Sequence, residues 1–201
     1  MRPRRLMLLS APILILAACG SEPADEGAQT PATDAAANAS SGPITDAPAV
    51  SLVGPEGNIV GSVQGGDSDQ GAVMRIEARG LPPGVHGMHL HAVGLCEGPK
   101  FESAGAHWNP TEAQHGLEHP EGPHFGDLPN ITVGEDGNFT GTVTIQGSYL
   151  KESRMKAGPV EQILDADGAA LVIHALPDDG TSQPSGASGD RIACAALAPA
   201  G

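Results

Sequence analysis

Aromatic residues are nearly missing from this chain, with one Trp, one Tyr and three Phe among 201 residues. Any core must therefore be aliphatic. With 28 Gly and 18 Pro the chain is also broken too often for a bundle of long helices, so many short strands are expected. Basic residues are scarce, 10 Lys and Arg against 24 Asp and Glu, a net charge of −14. No basic cluster follows Arg5, which excludes non-specific binding to nucleic acid. There is no internal repeat, no glycine-rich nucleotide loop and no serine nucleophile elbow. The longest apolar run near the start, Leu6 to Leu16, is too short to span a bilayer as a helix.

That run follows Arg2, Arg4 and Arg5 and ends Leu16-Ala17-Ala18-Cys19-Gly20. A basic stretch, a short apolar stretch and small residues read as a secretory leader. The ending resembles a bacterial lipobox, which implies cleavage after residue 18 and acylation of Cys19. More than one buried acyl chain gives stable membrane anchoring. Residues 1–18 are thus expected to be a lipoprotein signal peptide, and the protein to be exported and held in the cell envelope or periplasm. Without them, 7 basic face 24 acidic residues, a net −17. Residues 19–46, rich in Ala, Pro, Ser, Thr, Asp and Glu, cannot bury enough surface to offset ordering entropy, and read as a disordered tether after the lipidated Cys19. The chain has three cysteines. If Cys19 carries lipid, Cys96 and Cys194 remain as one pair in a compartment where disulfides persist.

From about residue 47 to the end the texture is β-patterned. Runs at Val50–Gly54, Ile59–Gln64, Ala72–Arg79, Gly87–Val93, Ile131–Val133, Phe139–Ile145, Ala169–Ala175 and Arg191–Leu197 are separated by Gly, Pro and Asp. Gly65 to Gly71 reads as a turn, and a helical turn is expected near Glu152–Lys156. Eight short strands with regular turn signals favour an antiparallel sandwich or barrel. The stretch Gly94–Leu128 shows no periodicity, and a loop of that length in a compact domain is usually functional.

His89 and His91 flank Leu90 on the fourth run, and the period of two puts both imidazoles on one strand face with Leu90 on the other. Such a pair alone fits core or solvated histidines as well as ligands. The aperiodic loop adds His107, His115, His124 and Asp127, and the seventh run ends on His174. Imidazole suits both copper and zinc, and three His with one carboxylate make a closed tetrahedral zinc set.

Four motifs in order now resemble the copper/zinc superoxide dismutases: His86-Gly87-Met88-His89-Leu90-His91, Ser103-Ala104-Gly105-Ala106-His107-Trp108-Asn109-Pro110, His124-Phe125-Gly126-Asp127-Leu128, and Gly186-Ala187-Ser188-Gly189-Asp190-Arg191-Ile192-Ala193-Cys194. His115-Gly116 and Val172-Ile173-His174 lie between them, and the resemblance runs from about Val50 to Leu197. It implies an all-β fold, an eight-stranded antiparallel Greek-key β-barrel of the immunoglobulin-like sandwich kind with a long metal-binding loop. It implies a copper ion held by His89, His91, His107 and His174, and a structural zinc ion held by His107, His115, His124 and Asp127. Asp178 matches a carboxylate that joins the two sites through His89 and His115.

The activity implied is dismutation of superoxide to dioxygen and hydrogen peroxide, copper cycling between Cu(II) and Cu(I). His107 would release copper and take up a proton in the reduced state, and Arg191 would bind the anionic substrate. Because the net charge is negative, local potential must overrule the global one, as in the steering seen in this family. Lys100 is a candidate for that role, against the plainer reading of a solvated lysine. His86 is expected to be structural, His119 solvated and Trp108 part of the loop packing. The segment Asp179–Asp190 is short, lacks a Glu/Lys cluster and has Ala187 where Asn is usual, so the guidance loop and dimer contacts of eukaryotic members do not carry over. Expected partners are superoxide and a membrane, with a homodimer admitted. Two other readings are a lipid-anchored metal-binding protein without turnover and a dismutase-like scaffold for another envelope protein. Either would be expected to lose a copper ligand or the arginine, and neither is lost.

Overall fold

A computed structural model describes residues 47–151 and 161–197. The leader, Cys19, the tether and the helical turn expected near Glu152–Lys156 lie outside the described residues. The described residues form eleven strands: β1 (Val50–Val53), β2 (Ile59–Ser68), β3 (Gly71–Ala78), β4 (Gly84–His86), β5 (Met88–His91), β6 (Ile131–Val133), β7 (Phe139–Gln146), β8 (Ser148–Tyr149), β9 (Glu161–Gln162), β10 (Ala169–His174) and β11 (Arg191–Leu197). The described residues contain no α-helix, only a single 3₁₀ turn at Glu102–Ala104. Seven strands form one antiparallel sheet in the order β5-β10-β11-β1-β2-β3-β7. Its two end strands continue along the chain into β4 and β6, which pair with each other, so the sheet curls toward a barrel. The connections β3 to β4 and β7 to β10 cross over in the Greek-key manner.

The eight expected runs are all there, β5 being the run expected at Gly87–Val93, but β4, three residues just ahead of it, was not expected. β8 and β9, a two-residue parallel pair, were not expected. β2 also runs past its expected end, because Gly65 and Gly66 stay in the ladder opposite Met74 and Val73. Gly65 is there for close approach, not for a turn: a Cβ on it would lie 2.6 Å from Leu150 Cδ1.

The core is aliphatic. On β3, Met74, Ile76 and Ala78 are buried while Arg75 and Glu77 face solvent, the alternation of a strand with one dry face. β10 reads apolar up to its last residue, His174, because it is covered on both faces. Leu171 and Ile173 enter the main core, and Ala170 and Val172 pack outward against Phe101, Ala104 and Cys194. Trp108, expected in loop packing, reaches that main core and meets Phe125 edge-on at 5.6 Å.

The long loop between β5 and β6 is held on the free edge of β5. Leu90 N–H donates to Gly126 O, Trp108 N–H to Leu90 O, and Ala92 N–H to Ala106 O. The pairing covers an edge that would otherwise be open. It also sets His107 beside His91 and Asp127 beside His89.

Candidate metal centre

Leu90 is fully buried in the main core, and His89 and His91 leave the opposite face of β5. Across the ladder His89 sits opposite Val172 and His91 opposite Ala170, so His174, two residues beyond Val172, belongs to the same face. The loop closes over these rings, and all are at least nine-tenths buried.

β11 contains a bulge that matters here. Ile173 pairs with Ala193 but His174 pairs with Arg191, so two residues of β11 oppose one of β10. Simple alternation from Ala193, a core residue, would turn Arg191 inward. With the extra residue, Ile192 packs against the core and Arg191 comes to lie beside His174.

His89, His91, His107 and His174 each offer a ring nitrogen within 4.8 Å of the others. In three of them the second nitrogen is taken up: His91 Nδ1–H donates to Gly105 O at 2.9 Å, His174 Nδ1–H to Gly189 O at 3.2 Å, and His89 Nε2–H to Asp178 Oδ2 at 2.6 Å. These bonds leave the lone pairs of His91 Nε2, His174 Nε2 and His89 Nδ1 facing inward. Those three atoms and His107 Nε2 are buried without a hydrogen-bond partner. Unpaired buried polar atoms are costly, and a bound cation satisfies all four.

A second group adjoins the first. His107, His115 and His124 direct Nδ1 at Asp127 Oδ1, at 2.9, 3.0 and 3.1 Å. The other carboxylate oxygen already accepts the N–H groups of Gly116 and His124. Three imidazoles on one oxygen exceed its lone pairs. A tetrahedral cation about 2.0 Å from each donor leaves the donors about 3.3 Å apart, close to what is seen. His107 belongs to both groups, through Nδ1 here and Nε2 in the first. Asp178 also touches both, since its carboxylate accepts His89 Nε2–H and, at 3.2 Å, His115 Nε2–H.

The electrostatics keep His89, His91, His124 and His174 neutral and Asp127 and Asp178 charged. Burial, helped by neighbouring imidazoles and Arg191, pushes His91 down to about 2 and His174 down to about 3. Burial also lowers His89 and His124, against the pull of Asp178 and Asp127. For Asp127 burial alone would raise the pKa, but bonds from His107 and the Gly116 N–H with the nearby imidazoles carry it well below the carboxylate range. Asp178 behaves alike, with His89, the Gly180 N–H and His115 outweighing burial. Neutral imidazoles and ionised carboxylates are the forms that bind metal.

Arg191 is half-buried, and its guanidinium donates to Phe101 O at 2.6 Å and Gly105 O at 2.8 Å. Burial lowers its pKa, and Glu102 favours the charge. Lys100 is exposed and pairs loosely with Glu102 at 3.8 Å, which offsets its own charge. His86 is buried and bridges His174 O and Pro82 O, both at 2.8 Å. His119 accepts the Glu121 N–H at the surface and joins no donor group among the described residues. Cys96 and Cys194 form a disulfide. Three contributors escaped the sequence reading, Asn130, Gln183 and the Gly105 carbonyl. Backbone acceptors and amides far off in sequence leave no motif.

Comparison with known proteins agrees with this geometry. The family model for copper/zinc superoxide dismutase (SODC) matches residues 59–197. Superoxide dismutase [Cu-Zn] 2 of Aquifex aeolicus is 38% identical over 147 residues, 73% of this chain and 83% of that protein. The superoxide dismutase-like protein YojM of Bacillus subtilis is 38% identical over 197 residues, 96% of this chain and 95% of its own. Among solved structures, a SOD-like protein from Bacillus subtilis superposes with a TM-score of 0.68 at 40% identity, covering 76% of this chain and 99% of that one. The Cu/Zn superoxide dismutase from Brucella abortus does so at 0.58 and 27%, with the same two coverages. On the family match, the identities and the buried donor groups together, this chain belongs to the copper/zinc superoxide dismutase family.

Proposed function

We propose that the protein is a superoxide dismutase whose copper is held by His89, His91, His107 and His174 and whose zinc is held by His107, His115, His124 and Asp127. The observation that carries this is the set of four buried, unpartnered ring nitrogens converging on one point. Bound there, copper would supply one-electron redox chemistry, the balance being two superoxide ions and two protons converted to one dioxygen and one hydrogen peroxide. The residues do the rest. Arg191, tethered by two carbonyls beside His91, attracts and orients the small anion. His107 Nε2, buried and without a partner while Nδ1 is engaged at Asp127, is the atom that would take up and pass on a proton. The zinc donors would tie three parts of the long loop to one another, and Asp127 holds the His107 ring through Nδ1.

Superoxide decay by the metal-loaded protein, from Ala47 onward, tests the reading, with His174→Ala as the control. A rate no faster than buffer would end it. Likeness to a protein described only as superoxide dismutase-like favours a second reading, metal holding without turnover, and the same assay separates the two.

We infer further that Cys19 is acylated and that the domain works in the cell envelope, removing superoxide from a tether of residues 19–46. The lipobox-like ending Leu16-Ala17-Ala18-Cys19 supports this. Mass measurement of the mature N-terminus decides it, because an unmodified Cys19 would refute the anchor.

A further inference from the structure

Asp178 orients one ring of each donor group, His89 and His115, yet it lies in a loop and not on a strand. Its aim must therefore be set by contacts around it. Two side-chain amides supply them. Asn130 Oδ1 accepts the Asp178 N–H at 2.9 Å, and Asn130 Nδ2–H donates to Asp178 O at 2.9 Å. Gln183 Oε1 accepts the His115 N–H at 2.9 Å, and Gln183 Nε2–H donates to His115 O at 2.9 Å and to Thr181 O at 3.1 Å.

Each amide thus copies one rung of a β-ladder, using a donor and an acceptor side by side on one side chain. The two rungs run in opposite directions. Asn130, the last residue of the long loop between β5 and β6, grips the loop between β10 and β11, and Gln183, within that second loop, grips the long one. The partners are 48 and 68 residues apart. Where the loops cross they nearly touch: Glu118 N–H donates to Gly180 O, and a Cβ on Gly116 would run into the same carbonyl. The charged side chains of residues 179–190, ahead of Arg191, are Asp179 and Asp190 alone, so this segment is built to hold and not to steer an anion.

We propose that Asn130 and Gln183 are positioning residues of the two-metal centre, fixing the backbones of Asp178 and His115 so that the Asp178 carboxylate reaches both rings at once. This rests on the metal assignment above. The plainer alternative is that both amides are surface fasteners, contributing to stability and nothing to the metals.

Competition for zinc by a chromophoric chelator, measured on the full chain, separates these. Direct hydrogen-bond partners of metal ligands typically change affinity roughly ten- to a hundredfold, so Gln183→Ala, which frees the His115 backbone, and Asn130→Ala, one step further out, should each weaken zinc binding by up to about tenfold. The visible band of bound copper should shift in both. Because Asn130 acts through Asp178, adding Asn130→Ala to Asp178→Ala should cause little further loss. Asn130→Asp keeps the acceptor for the Asp178 N–H but loses the donor, and should fall between; it also serves if the alanine variant folds poorly. Unchanged zinc affinity with only a lower melting point would overturn the proposal, as would losses that multiply in the double variant. If the wild-type chain itself took up no zinc, the metal assignment would fall first. Tight zinc binding in wild type and variants alike would remove this inference alone.

Discussion

His91 and Arg191 hang from one carbonyl. Gly105 O accepts the His91 Nδ1–H at 2.9 Å and an Arg191 Nη2–H at 2.8 Å, so one peptide sets both a metal-facing ring and the cation beside it. The second guanidinium contact, Phe101 O, comes from a fully buried residue in the left-handed region, with φ of 56°. Non-glycine residues rarely adopt that conformation. Here it turns the carbonyl toward Arg191 while the ring packs with Cys194 and Val172.

Replacing the fork therefore separates binding of substrate from binding of metal. Arg191→Ala, and Arg191→Lys, whose single nitrogen cannot span both carbonyls, should slow superoxide decay roughly tenfold or more. Copper content should stay at the wild-type level. An unchanged rate would contradict the steering role.

Acid should destabilise the metal-free protein well above the carboxylate range. His91 and His174 are held neutral in the fold, pushed down to about 2 and about 3 from 6.5. Below about pH 6.5 the unfolded chain binds protons that the folded chain refuses, so stability rises with pH across this window and is lost on acidification. Each such histidine contributes a slope of up to about 1.4 kcal/mol per pH unit. Asp127 and Asp178, also depressed, add losses of the same sign below about pH 4. Melting of chelator-treated protein between pH 7.5 and 4.5 measures this, and a flat profile would count against the buried neutral rings.

The Cys96–Cys194 bond joins residues 98 apart and clamps the loop carrying Phe101 to β11. Loop-closure entropy for that length is about 4.7 kcal/mol. Cys194→Ser should accordingly lower unfolding stability by roughly 3–5 kcal/mol in urea titration. A loss below about 1 kcal/mol would mean that the unfolded chain is already constrained.

Ala187 is exposed and has a φ of 51°. The left-handed region costs an L-residue about 1–2 kcal/mol, partly offset by the greater freedom that Gly has when unfolded. Ala187→Gly should gain about 0.5–1 kcal/mol and raise the melting point by about 1–4 °C. Asn, tolerant of this conformation, should behave similarly. A lower melting point would mean that the methyl group makes a contact worth more than the strain.

Much of the site was legible in the order of residues because strands impose a local rule. Alternation alone sets His89 and His91 against Leu90, and the flanking apolar runs declare β5 and β10 as core strands. The aperiodic stretch from Gly94 to Leu128 marks a loop with work to do. Elsewhere local rules misled. Gly65 looked like a turn and is a rung of β2, where the Leu150 side chain, 85 residues later in the sequence, packs against the space a Cβ would occupy.

What the sequence by itself determined is the inventory: aliphatic strands, seven potential metal donors, one arginine after the last loop, and the face of β5 from which two imidazoles project. What only the tertiary structure decided is convergence. His107 reaches both donor groups because its loop adds to the free edge of β5. Arg191 stands beside His174 because β11 carries one residue more than its partner. Asn130 grips the backbone of Asp178 and Gln183 that of His115, across 48 and 68 residues of sequence. Alternation is a property of neighbours along the chain and can be read there. Registry across strands and loops depends on which distant segments close together, and that is set by packing of the whole domain.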